Sequence, residues 1–176
     1  MSQHFDDPEE GLARETSHPR FVTLAPDDFY YDVADDFGPF GSDDGNDTLS
    51  SLEDWYRDGR SNGKVKSFLK QILADWDLGV PTSMHRADAD VREKWLAEDD
   101  MHETYLQSEC RARVATALGQ LKITGEVDPE MRDEALAAIA CQLELNERAR
   151  TRFPAWPHAD ENQARLNAMQ AVLNAI

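Results

Sequence analysis

The chain has 176 residues, with 35 Asp and Glu against 18 Lys and Arg, a formal net charge of −17 that argues against tight binding to nucleic-acid phosphates. No apolar run reaches the roughly 18–20 residues of a membrane-spanning helix, and two cysteines are too few for a disulfide scaffold. The opening MSQHFDDPEE has neither a basic nor an apolar leader region, so a cytoplasmic protein is expected.

The charge is uneven: residues 1–60 carry a net −12 and residues 61–176 a net −5. Residues 1–17 are polar and acidic without an apolar period and read as a flexible acidic arm, leaving 18–176 as a single helical domain. From His18 to Asp47 aromatic residues alternate with aspartates, and glycine and proline punctuate the run. Phe21, Phe29, Tyr30, Tyr31, Phe37 and Phe40 show no 3.6-residue period. The expectation is an ordered, irregular segment anchored by its aromatics, with at most one short strand.

Helical signals begin at Asp47, which suits an N-cap, and run to Arg57 before Gly59. Val65, Phe68, Leu69, Ile72, Leu73 and Trp76 form a strong amphipathic stripe for the next helix. The pattern resumes over residues 87–121, where Glu98-Asp99-Asp100 marks either a break or a solvated turn. Asp128-Pro129-Glu130 is a compact helix start: a capping Asp, Pro at the first helical position and an acid in the first turn. That helix extends to about Arg152, and the stiff connector Phe153-Pro154-Ala155-Trp156-Pro157 leads to a last helix over about 160–174. The sum is an all-α, five- to six-helix bundle-like domain with an irregular aromatic and Asp-rich N-terminal segment.

The stretch from Glu15 through Asp47, reading HP and then DDFYYDVADDFGPFGSDDGND, followed by a helix carrying Trp55-Tyr56, resembles the YfeS-like family of bacterial proteins. The resemblance covers residues 15–58 and implies a bacterial, cytosolic protein; it implies no activity.

Candidate chemistry centres on the Asp-rich segment 32–47. Clustered carboxylates and glycines suit hard cations such as Ca²⁺ or Mg²⁺, with His18, Asp32, Asp43, Asp44 and Asp47 as candidate ligands. Counted from Asp43, however, the sixth and twelfth positions are Thr48 and Asp54, so the EF-hand register fails. The same aspartates can cap the following helix and satisfy irregular backbone, or can meet a partner. Glu98, Asp99, His102 and Glu103 resemble one half of a helical metal site, but no second half exists. Serine-hydrolase, P-loop and dinucleotide motifs are absent, and Cys110 and Cys141 read as core thiols on separate helices.

Two functions are therefore expected in order. The first is a non-enzymatic protein-binding module engaging a basic protein, in the manner of an immunity or antitoxin-like inhibitor or regulator, through Asp35, Asp36, Asp43, Asp44 and Asp47. The alternative is a metal-dependent enzyme or metal-binding domain built on residues 32–47. A wholly structural role for the segment is the third possibility.

Overall fold

A computed structural model describes residues 2–176. Seven α-helices carry the chain: α1 (Pro19–Leu24), α2 (Asp43–Arg57), α3 (Val65–Trp76), α4 (Ala89–Leu96), α5 (His102–Thr124), α6 (Pro129–Arg152) and α7 (Ala159–Asn174). Short 3-10 turns lie at Asp28–Tyr31, Asn62–Lys64 and Met84–Arg86. There is no strand among the described residues, only an isolated bridge between Asp7 and Gly11. The all-α expectation holds, with seven helices where five or six were expected. No described helix is long and apolar enough to cross a membrane.

Helix α5 is the axis of the molecule, packing against α1, α2, α3, α4 and α6, while α7 lies on α6. From Ala112 to Thr124 it is buried on every side. Small residues make this approach possible: a Cβ on Gly119 would stand 2.9 Å from Leu52 Cδ2 of α2. The buried polar groups of α5 are bonded in place, as buried polar groups must be. Thr116 donates to the Ala112 carbonyl, Thr124 to that of Gln120, and Gln120 Oε1 accepts from Asp128 N.

Two sequence expectations need correction, and a question the sequence leaves open is answered. The segment 18–47 is less irregular than its pattern suggests, because His18 caps α1 by accepting from Arg20 N. Helix α2 starts five residues earlier than an Asp47 cap implies. Ser42 is extended, its Oγ accepts from Gly45 N, and Asp43 and Asp44 occupy the first turn, where carboxylates complement the helix dipole. The stretch 87–121 is two helices: Asp99 Oδ1 takes Met101 N and turns the chain, while His102 stacks on Trp95 with ring centroids 4.0 Å apart.

The N-terminal residues are not a free arm. His4 N donates to the Ile123 carbonyl, Phe5 packs on the core beneath the Arg57 guanidinium, and Asp6 reaches the buried Lys122. One of the carboxylates that make this segment look solvated, Asp6, neutralises a cation inside the fold. Beside it, Phe21 meets Tyr30 edge-on at 6.0 Å and Phe40 at 6.2 Å, so the aromatics of the next segment close the core over α5. The Tyr30 hydroxyl is buried without a hydrogen-bond partner, and burial raises its pKa well beyond the usual phenol range.

Candidate functional site

The five aspartates expected to meet a partner divide into two groups. Asp35 is turned inward: Oδ1 accepts from Phe37 N and Gly38 N, and Oδ2 lies 3.0 Å from Arg165 Nε. Asp44 Oδ2 stands 3.5 Å from Arg111 Nη1. These two hold the segment onto α5 and α7 and are not free for a partner. Asp36, Asp43 and Asp47 are exposed and make no hydrogen bond or ion pair through their side chains among the described residues.

The residues considered for a cation do not converge. Asp32 Oδ1 accepts from Ala34 N in its own turn. His18 caps α1, and its ring lies 5.0 Å from that of His4 and closes on Gly125. Burial and then the His4 charge depress its pKa. Asp43 and Asp47 point outward from α2, and Asp44 is taken by Arg111. Among the described residues no three His, Cys, Asp or Glu side chains come together to hold a metal ion. Ca²⁺ needs six to eight oxygens, so this scatter is not a cation cage.

Arg111, the partner of Asp44, also lines a groove of about 500 Å³. Phe37, Phe153 and Trp156 give it aromatic walls, and Arg111, Glu103 and Asn146 contribute polar lining. Phe37 packs edge-on against Trp156 at 6.2 Å and lies 5.9 Å from His158. Phe153 is 57% exposed, more than any other large hydrophobic side chain among the described residues. A narrower hollow shares Phe37 and Arg111 with this groove and adds Asp36, Gly38 and Pro39. Beneath lies a buried amide pair: Asn162 Nδ2 donates to Asn146 Oδ1, and Asn146 Nδ2 to the Ala159 carbonyl. The sequence singles out Trp156 between its two prolines. It gives no sign that Phe37, more than a hundred residues earlier, is its neighbour.

A second polar cluster was not anticipated. Arg92, itself buried, donates to the carbonyls of His85 and Ala87 and fixes the turn that carries His85. His85 Nε2 lies 3.1 Å from Glu134 Oε2 without the alignment of a hydrogen bond. Arg113 bridges Glu134 at 3.2 Å and Glu109 at 3.1 Å. Burial works against the Glu134 carboxylate, but the Arg86 hydrogen bond and adjacent charges leave its pKa low. Burial raises that of Glu109. Cys110 and Cys141, far apart in sequence, are neighbouring buried free thiols; Cys141 first and burial second push the Cys110 thiol well up.

His85 carries a pH prediction. Burial, then the Arg113 charge, lower its pKa from 6.5 to about 4. Between those values the unfolded chain binds a proton that the folded chain refuses, so stability rises with pH across the window. The His85 contribution is complete above pH 6.5 and shrinks as pH falls toward 4. Urea melts between pH 7 and 4 should therefore fall more steeply for the natural protein than for His85→Gln; parallel curves would show that His85 is not the group concerned.

No family model matches the chain, and no solved structure matches it. The curated protein "Uncharacterized protein YfeS" of Escherichia coli strain K12 is 33% identical over 138 residues, which are 78% of this chain and 54% of that protein. The chain thus spans about half the length of that relative. The match is much longer than the 15–58 stretch that carries the motif. With one third of the positions identical over most of its length, the chain belongs to the YfeS-like family.

Proposed function

We propose that this protein is a non-enzymatic binding module whose bundle-like helical domain engages a basic protein partner in the cytoplasm. Asp36, Asp43 and Asp47 supply the charge that steers and orients the partner. Phe37, Phe153 and Trp156 supply the apolar anchor that slows its release. An inhibitor or regulator in the manner of an immunity protein or antitoxin is the concrete form of this reading.

One observation carries it. Asp36, exposed and without an internal partner, lines a hollow that shares Phe37 and Arg111 with an aromatic groove of about 500 Å³, and that groove leaves Phe153 open to solvent; Asp43 and Asp47 are exposed on the first turns of α2. Asp35 and Asp44, by contrast, are paired with Arg165 and Arg111. The net charge of −17 gives the encounter its long-range attraction.

The test compares the natural protein with a triple variant, Asp36→Asn with Asp43→Asn and Asp47→Asn. All three sites are exposed, so each substitution should change stability by no more than about 0.5 kcal/mol. Tagged bait from the native cells should retain a stoichiometric basic protein at about 0.05 M salt and release it at about 0.5 M, where screening is several-fold shorter. The triple variant should fail to retain it at either salt. Retention by the variant equal to the natural protein would defeat the assignment of the acidic face.

A further inference from the structure

A second cavity, of about 520 Å³, shares no residue with the aromatic groove. This is the size of small-molecule sites, and its lining has their character: apolar walls with a few converging polar groups. Leu69, Leu73 and Ala74 of α3 form one wall, with Val80 from the chain that follows. His85, Glu109, Arg113 and Glu134 bring the polar groups, from the Met84–Arg86 turn, α5 and α6. Lys66 and Lys70 complete the lining from α3.

The charges of this lining run against the rest of the chain. It holds three cations and two carboxylates, in a protein of net charge −17. Both carboxylates are occupied by the guanidinium of Arg113. Lys66 is bonded to Glu130. Lys70 makes no ion pair or hydrogen bond among the described residues, so one uncompensated positive charge stands beside the apolar wall. A second observation concerns His85. It is 4% exposed, and its Nε2 is buried without a hydrogen bond, an unmet polar atom that costs free energy while it remains so.

We infer that this cavity binds a small organic monocarboxylate with an aliphatic body. The carboxylate would sit at Lys70 and the body along Leu69, Leu73 and Val80. A polar substituent on the body could reach the His85 ring. The reading is independent of the acidic face, which uses none of these residues.

The test uses three probes with one eight-carbon body: octanoate, octylammonium and octanol, each titrated into the natural protein and followed by methyl and amide NMR. Octanoate should shift the Leu69, Leu73 and Val80 methyl signals saturably, while octylammonium should leave them in place. Lys70 is exposed and unpaired, so Lys70→Gln should keep the melting temperature. It should weaken octanoate roughly tenfold, the worth of one charge-assisted hydrogen bond. Equal shifts from octanol and octanoate, or undiminished octanoate binding by Lys70→Gln, would overturn the anion assignment. Absence of saturable shifts at these methyls would overturn the site itself.

Discussion

Glu53→Ala is expected to lower the free energy of unfolding by about 3–5 kcal/mol, the cost of leaving a buried charge without its partner. Lys122 has 0% of its side chain exposed, with Nζ 2.8 Å from Asp6 Oδ1 and 3.2 Å from Glu53 Oε1. Glu53 is the keystone because it does three things at once. Oε1 serves Lys122 and also accepts from Asp6 N at 3.0 Å, while Oε2 holds Arg57 Nη2 at 3.0 Å. Removing it strips Lys122 of one carboxylate and loosens the backbone that presents the other. Lys122→Met should cost less. It takes the buried cation away, fills the space with apolar atoms, and leaves Glu53 still paired with Arg57. The order of the two variants in chemical denaturation is therefore the decisive observation. Glu53→Ala should also make the first residues a ready target for limited proteolysis. A Glu53→Ala protein as stable as Lys122→Met would mean that Asp6 alone satisfies the lysine.

This network shows what could and could not be read from the sequence. Local signals were legible. The Asp128-Pro129-Glu130 start of α6 stands as expected, with Asp128 Oδ1 accepting from Glu130 N and Met131 N. Of the apolar stripe of α3, Val65, Phe68, Leu69 and Ile72 are buried as its spacing implies, and Leu73 and Trp76 are half-buried against the core. Long-range pairing was not legible. Nothing near Asp6 announces Lys122, and nothing near Asp35 announces Arg165, which lies 130 residues on. An acidic run in isolation reads as solvated, because charge patterning carries no information about a cation supplied by a distant helix. Helix α5 misleads for a related reason. A helix buried on all sides has no polar face, so Gln120 and Lys122 look like surface residues until their partners are known. For the candidate site, the sequence drew attention to the stretch of aspartates as a whole. It could not tell Asp36, Asp43 and Asp47, which are free, from Asp35 and Asp44, which are spent on Arg165 and Arg111.

The position of those free carboxylates depends on Gly41, and Gly41→Ala should destabilise the protein by about 3 kcal/mol, the upper end of ordinary overpacking costs. The reason is space rather than backbone conformation. A Cβ at this position would lie 2.0 Å from the Asp35 carbonyl oxygen, 2.7 Å from its carbon and 2.8 Å from the Asp32 oxygen. All three are backbone atoms, so no side-chain rotation relieves the clash. Gly45 repeats the arrangement one turn into α2, where a Cβ would meet the Pro39 oxygen at 2.2 Å. The two glycines of PFGSDDGND are thus where the chain crosses closely over itself before α2 begins. Gly63→Ala is the control, since nothing lies within 4 Å of its Cβ position, and it should shift stability by no more than about 0.5 kcal/mol. The readout that separates a local from a global effect is Trp156 fluorescence, measured in a background where Trp55, Trp76 and Trp95 are replaced by Phe. Phe37 packs on Trp156, so a displaced 32–41 segment should expose the indole and redshift its emission before the helices melt. A Gly41→Ala protein with natural stability and emission would show that the segment does not cross itself in this way. If instead the segment lifts, the groove loses its Phe37 wall. Binding of the proposed basic partner should then fall although Asp36, Asp43 and Asp47 are all still present.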